Sequence, residues 1–111
     1  MNDNERQAPP MVDGRRPIMA LLELLGRKWA LRILWELRDG ALNSRALRSA
    51  AGNLSPTVLQ ARINELRDGG IVERQAEGYA LTPLGRELLE AFIPLYRFAG
   101  RWADALRQDP P

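Results

Sequence analysis

Apolar residues recur every three or four positions along most of this chain, and polar or glycine-containing stretches separate the periodic segments. Residues 18–26, 27–40 and 41–53 each carry this spacing, which predicts three short helices in succession. In the third segment Asn43 or Ser44 is the expected N-cap, because their side chains accept hydrogen bonds from free N–H groups of the first turn. The first half of the chain is therefore predicted to be all helical.

The fourth periodic segment, 55–68, has a narrow apolar stripe and a small polar face. Ser55 is a strong N-cap and Pro56 suits the first helical position, where no N–H is needed. An inward stripe follows from residues spaced four and three apart, namely Leu59, Ile63 and Leu66. The opposite side carries Pro56, Thr57, Gln60, Ala61 and Asn64. Such a face is what a helix in the DNA major groove requires, because Gln and Asn pair with adenine and Thr contacts a thymine methyl. An ordinary solvated helix face is the alternative.

The chain changes period after this helix. Gly69-Gly70 ends the helical pattern, and 71–82 contains two β-prone runs separated by Ala76-Glu77-Gly78, which predicts a hairpin. Helix, turn, helix and hairpin in this order are typical of a winged helix-turn-helix domain. The predicted fold is therefore mainly α with a small β-hairpin wing.

A last amphipathic helix is predicted over 83–107, with Thr82 as its cap. At ~1.5 Å per residue it would be nearly 40 Å long, more than a domain of this size covers, so apolar surface should remain. We expect a two-fold dimer in which this helix packs with the first helix of the partner. The alternative is that its aromatic side chains fill the core of one protomer.

Composition excludes several classes of function. The 111 residues contain no His and no Cys, so Ser-His-Asp and thiol chemistry are excluded, and a zinc site would need carboxylates alone. The sequence also lacks a pair of acidic residues in a pattern that would suggest the catalytic cleft of a hydrolase. The sequence therefore predicts no enzyme activity, no cofactor and no metal.

The ends of the chain are predicted to lie outside the domain. Residues 1–14 are acidic where a signal peptide would be basic and read as a disordered leader, 15–107 form the domain, and 108–111 a tail. No apolar run approaches the ~20 residues needed to cross a bilayer. We therefore expect a soluble cytoplasmic protein without a membrane partner.

Positive charge is concentrated in the predicted helix-turn-helix. Between positions 26 and 62 the sequence has seven basic and two acidic residues, although the formal net charge of the chain is only +2. Such a distribution favours contact with phosphate. Nearly all the basic residues are arginines, which codon bias would also explain. Arg45 and Arg48 are predicted to point outward from the third helix. Arg62 flanks the polar face of the fourth, either as a phosphate contact or as an intradomain hydrogen-bond donor.

Three motifs in this order resemble the HxlR-like branch of winged-helix transcription regulators, which is related to the MarR type. They are LLGRKW, the Ser-initiated helix ending in LRDGGIVER, and LTPLGR, and the resemblance covers about residues 18–90. The resemblance implies a homodimer that binds a roughly palindromic DNA operator. It places the recognition helix at 55–68, with Ser55, Thr57, Gln60, Ala61 and Arg62 facing DNA. It also places Lys28, Arg45 and Arg48 near the phosphate backbone and Arg74 in the wing.

The leading hypothesis is a dimeric, sequence-specific DNA-binding transcription regulator, repressing or activating a gene. Base-facing candidates are Ser55, Thr57, Gln60, Ala61 and Asn64, and phosphate candidates are Lys28, Arg45, Arg48, Arg62 and Arg74. The rival is a winged-helix protein-interaction module without DNA binding.

The input signal is left open by the sequence. One interpretation is a small aromatic or apolar ligand near the dimer axis, held by Trp29, Trp35, Phe92, Tyr96, Phe98 or Trp102. The other is that these side chains are dimer core and that the regulator responds to its own abundance.

Overall fold

The computed structural model describes residues 14–108, which form five helices and one β-hairpin. The helices are α1 (Pro17–Leu25), α2 (Ala30–Glu36), α3 (Ser44–Ala50), α4 (Pro56–Asp68) and α5 (Pro83–Gln108). The hairpin consists of β1 (Val72–Gln75) and β2 (Gly78–Leu81). The predicted winged helix-turn-helix architecture, mainly α with a small wing, is confirmed. The predicted leader and tail lie outside the described residues except for Gly14 and Gln108, and Gln108 is helical.

One hydrophobic core joins α2, α3, α4, the hairpin and the first half of α5. The largest fully buried side chains are Ile33, Leu34, Leu37, Leu47, Ile63 and Leu66. The predicted stripe of α4 is confirmed, because Leu59 is buried with Ile63 and Leu66. In α3 the inward residues are Leu47 and, at its C-cap, Ala51. Burial of these apolar side chains fixes which face of α4 remains outside.

The turn between α3 and α4 is set by caps on both sides. Asn43 Oδ1 accepts from the Ala46 N–H at 2.8 Å, and Ser55 Oγ accepts from the Val58 N–H at 3.1 Å. At the end of α3 the Asn53 N–H donates to the Arg48 carbonyl at 2.7 Å, in the pattern that closes a helix around a left-handed glycine. These hydrogen bonds fix the angle at which α4 leaves α3.

The second helix starts later than the sequence suggests. The periodic run begins at residue 27, but α2 begins at Ala30, because Trp29 adopts a left-handed backbone with φ of +80°. Gly26, which follows α1, has φ of −76° and is not left-handed. The reversal of the chain between α1 and α2 is therefore made at Trp29, a residue type that rarely adopts this conformation.

The double glycine ends α4 as the sequence predicts. Gly70 has φ of +77°, and the Ile71 N–H donates to the Leu66 carbonyl at 2.9 Å. Because Ile71 and Leu66 are both in the core, this helix end is anchored by a hydrophobic contact as well. The chain therefore turns directly from α4 into β1.

The wing is a tight antiparallel hairpin backed by a third segment. Val72 pairs with Leu81 and Gln75 with Gly78, so only Ala76 and Glu77 form the turn. Leu42 pairs with Tyr79 through two backbone hydrogen bonds of 2.9 and 3.0 Å. The loop before α3 therefore holds the wing against the helix-turn-helix unit.

The last helix begins at the wing and extends beyond the core. The Thr82 hydroxyl accepts from the Gly85 N–H at 2.9 Å and donates to the Gly70 carbonyl at 2.6 Å, which confirms Thr82 as the cap. Of its 26 residues only Gly85 and Leu89 are buried. The predicted excess of apolar surface is thus present. No helix within residues 14–108 is long and apolar enough to span a membrane.

Candidate nucleic-acid interface

The outer face of α4 presents small polar side chains to solvent. Ser55, Thr57, Gln60 and Asn64 are exposed, and Ala61 is half-buried beside them. The Gln60 amide donates to Asn64 Oδ1 at 2.9 Å, so the two amides form one hydrogen-bonding edge. This face lies opposite the buried stripe of α4 and carries no charged side chain among these five positions. A base edge could approach its backbone closely.

Three of the predicted phosphate-contacting residues are exposed. Arg45, in the first turn of α3, has no hydrogen bond or ion pair among residues 14–108. Lys28 lies in the turn before α2, with its ammonium 5.3 Å from the centre of the Trp29 ring. Arg74 lies in β1, and its guanidinium donates to the Tyr79 hydroxyl at 3.3 Å. All three cations are therefore accessible to an anionic partner.

The prediction that Arg48 points outward is wrong. Its side chain is half-buried, and Nε donates to the Leu54 carbonyl at 2.7 Å. Arg48 therefore spans the turn from α3 to α4, where it satisfies a carbonyl that no helix hydrogen bond reaches. Its role in the structure is to hold the turn, and a phosphate contact would have to coexist with this bond.

Arg62 is paired within the domain. Its Nε lies 3.0 Å from Glu65 Oε1, its Nη2 donates to Oε2 at 3.2 Å, and only 16% of its side chain is exposed. Glu65 Oε2 also accepts from Arg27 at 2.9 Å. Of the two interpretations of Arg62, this geometry supports the intradomain hydrogen-bond donor.

Two positioning contacts were missed by the sequence analysis. Arg32 donates to the Ala50 carbonyl at 2.8 Å, which ties α2 to the end of α3, and it also pairs with Glu36 at 2.9 Å. Leu42 supports the wing through Tyr79. The spacing of four residues between Arg32 and Glu36 signals only their own pair. The contacts to Ala50 and Tyr79 join segments that are distant in sequence, so no local pattern indicates them.

The six aromatic side chains that the sequence suggests as ligand contacts do not form one cluster. Trp35 stacks on Tyr96 with ring centres 4.9 Å apart, and Phe92 lies at 6.4 Å from Trp35. The Arg38 guanidinium also lies over the Trp35 ring at 4.3 Å. Trp29 packs separately beside the core, and Phe98 and Trp102 lie farther along α5 and are exposed. The stacking supports the interpretation of Trp35, Phe92 and Tyr96 as packing residues.

A cavity of about 290 Å³ lies between α1 and the C-terminal end of α4. None of the six aromatic side chains lines it. Its walls are Arg15, Ala20, Glu23, Leu24, Arg27, Glu65, Asp68 and Gly69. Because most of these side chains are charged, the cavity is not suited to a purely apolar molecule.

Large apolar side chains are exposed on two helices. No residue of α1 is buried, and Ile18, Met19 and Leu22 lie on one exposed side of it. On α5 the exposed set is Leu84, Leu95, Tyr96, Phe98, Trp102 and Leu106. Large apolar side chains exposed in such number on two helices are typical of an interaction site. We call these exposed residues of α1 and α5 the apolar face.

Known proteins are similar to this chain in sequence and in architecture. The HxlR-like helix-turn-helix family matches residues 24–107. An uncharacterized HTH-type transcriptional regulator of Methanocaldococcus jannaschii is 26% identical over 91 residues, covering 78% of this chain and 86% of that protein. One from Synechocystis is 28% identical over 95 residues, covering 79% and 70%.

Solved structures give the same assignment. A protein of Thermoplasma volcanium described as a possible HxlR family transcriptional factor is 32% identical, with a TM-score of 0.69 and coverage of 79% of this chain and 85% of that one. The quinone-bound YodB from B. subtilis is 30% identical, with a TM-score of 0.66 and coverage of 78% and 94%. These relatives are regulators and not enzymes. From the match over most of its length, this chain belongs to the HxlR-like helix-turn-helix family of transcriptional regulators.

Proposed function

We propose that this chain is a homodimeric, sequence-specific DNA-binding transcription regulator whose helix α4 enters the major groove of double-stranded DNA. The observation that carries the proposal is the exposed face formed by Thr57, Gln60 and Asn64, opposite the buried stripe of α4. A helix that offers short polar side chains lets its backbone approach base edges. Because its proposed partner is a DNA operator, the protein is expected to be located in the cytoplasm.

The exposed cations fit the flanks of such a complex. Arg45 lies at the start of α3, Lys28 before α2 and Arg74 in the wing, and each is accessible. Phosphate contacts set affinity and position, whereas base contacts set sequence preference. Binding should therefore weaken steeply with salt, on the order of a thousandfold from 50 to 200 mM for a dimer with six to ten phosphate contacts.

A second copy of the chain is the proposed occupant of the apolar face. The nine residues of α1 include six large apolar side chains, yet none of the nine is buried in one protomer. The exposed row on α5 runs from Leu84 to Leu106, nearly the whole length of that helix. Two copies of the same face cover each other about a two-fold axis, and such a dimer presents two recognition helices to a palindromic site.

We also propose that the regulator responds to an effector, which is a small aromatic or apolar ligand bound near the dimer axis. It is supported by a quinone-bound relative, YodB, and by the exposed aromatic side chains of α5, such as Phe98 and Trp102. Tryptophan fluorescence during titration with quinones and other aromatic compounds tests it. No spectral change with any compound would leave control by protein abundance as the mechanism.

The test of DNA binding is footprinting on the DNA upstream of the protein's own gene, followed by measured affinities for the protected site. Gln60→Ala should reduce discrimination between that site and a scrambled duplex, because it removes one base-pairing amide. Arg45→Ala should weaken binding to both duplexes alike and flatten the salt slope by about one unit. Arg97→Ala, an exposed arginine on the polar side of α5, is the matched control.

The outcomes separate the two functions. Protection that withstands excess nonspecific DNA supports the regulator. No binding to any duplex at low salt would instead indicate a protein-interaction module. If Gln60→Ala and Arg45→Ala only lowered stability, the assignment of the outer face would be wrong.

A further inference from the structure

We infer that Glu65 limits the affinity of the protein for DNA of every sequence, because its carboxylate pairs with Arg62 and Arg27 and so occupies two cations that would otherwise be available to DNA phosphates. The inference rests on the proposed function. It concerns the side of α4 that faces the turn between α1 and α2, next to the base-facing surface. Three charged side chains meet there, because the cations Arg27 and Arg62 both contact the carboxylate of Glu65.

The geometry of this contact is close and specific. Glu65 and Arg62 make two contacts, at 3.0 Å between Oε1 and Nε and at 3.2 Å between Oε2 and Nη2. Arg27 Nη2 donates to the same Oε2 at 2.9 Å. The Nη2–Oε2 contact is a charge-assisted hydrogen bond, and the Nε–Oε1 contact is a close ion pair without hydrogen-bond geometry. Glu65 thus orients both arginines at once.

Burial distinguishes Arg62 from the other arginines near α4. Its side chain is 16% exposed and that of Glu65 is 30% exposed, so water screens this pair only partly. Arg45 on α3 and Arg67 on α4 are exposed, with no hydrogen bond or ion pair in the described part of the chain. The domain therefore keeps some cations available and holds others.

Withholding cations lowers the affinity for DNA of every sequence. Each phosphate contact adds to the affinity for every DNA sequence, whereas only base contacts distinguish one sequence from another. A recognition helix with a free Arg62 at its flank would therefore bind every duplex, nonspecific DNA included, more tightly.

The test is the salt dependence of binding to a nonspecific duplex, measured by fluorescence anisotropy between 50 and 200 mM salt. Glu65→Gln keeps the shape of the side chain but removes its charge. The expected result is tighter nonspecific binding and a salt slope steeper by about one to two units, since each added phosphate contact contributes ~0.9. Asp68→Asn is the matched control, because Asp68 is an exposed acid on the same helix with no described ion pair.

A double variant assigns the effect to Arg62. Glu65→Gln combined with Arg62→Ala should lose about one unit of the added slope, whereas Arg62→Ala alone should leave the slope of the native protein unchanged. A shallower slope for Arg62→Ala alone would mean that Arg62 already contacts phosphate and would overturn the inference. A shallower slope for Arg62→Ala would refute the inference even if Glu65→Gln does not fold.

Failure of the inference differs from failure of the proposed function. If the native protein binds no duplex at 50 mM salt, the proposed function is wrong. If it binds its protected site, but Glu65→Gln has the same nonspecific affinity and slope as Asp68→Asn, then DNA binding stands and the role of Glu65 is refuted.

Discussion

Replacing Gly78 by alanine tests whether the loop before α3 supports the wing. Gly78 has φ of +136°, and a Cβ placed there would lie 2.2 Å from the Leu42 carbonyl oxygen, far inside van der Waals contact. That carbonyl and the Leu42 N–H make the two hydrogen bonds to Tyr79. Alanine at this position must therefore push Leu42 away from the hairpin and lose both bonds.

Gly40 provides the matched control for this substitution. Its φ of +140° is nearly the same, but a Cβ there would meet no atom within 4 Å. Gly40→Ala should cost only the backbone strain, about 2 kcal/mol of unfolding free energy. Gly78→Ala should cost that strain plus two hydrogen bonds at ~1 kcal/mol each, about 4 kcal/mol in total. The difference between the variants isolates the contact with Leu42.

Urea unfolding followed by tryptophan fluorescence measures both variants. At a slope of ~2 kcal/mol per molar urea, the midpoint of Gly78→Ala should lie about 1 M below that of Gly40→Ala. Both must be measured at the same protein concentration, because self-association adds to apparent stability. Equal midpoints would refute the reasoning, since they would mean that Leu42 moves aside at no cost.

Two further predictions concern the caps and the apolar face. Asn43→Ala should lower the free energy of unfolding by ~1 kcal/mol, because the Ala46 N–H loses its acceptor. Ser49→Ala, at an exposed position on the same helix, should have little effect in the same urea titration. Trp102→Glu should convert the proposed dimer to monomer in sedimentation velocity, since it places a charge on the apolar face. Arg97→Ala should leave the sedimentation unchanged, and a Trp102→Glu dimer would exclude this face as the interface.

Much of the fold was predictable because its signals are local. The burial of Leu59, Ile63 and Leu66 follows from a spacing of four and three, which any α-helix converts into one face. The caps at Ser55 and Thr82 follow from the chemistry of one side chain and a nearby N–H. Such features require no knowledge of the rest of the chain.

The features that were missed depend on contacts between distant segments. Leu42 is an ordinary loop residue until the chain brings Tyr79 beside it. Long arginine side chains reach several acceptors, so the inward bonds of Arg48 and Arg62 could not be chosen from the sequence. Trp29 adopts a left-handed backbone that its residue type disfavours. The spacing of apolar residues therefore predicted that the second helix begins at residue 27.

The two-residue turn of the hairpin is a place where the wing can be lengthened without changing the core. Ala76 and Glu77 are exposed and pair with no other strand, whereas the residues on either side are fixed by the register of β1 and β2. Exposed loop tips are where inserted residues are tolerated best. Lengthening at this point would extend the wing while the buried interior stays as it is.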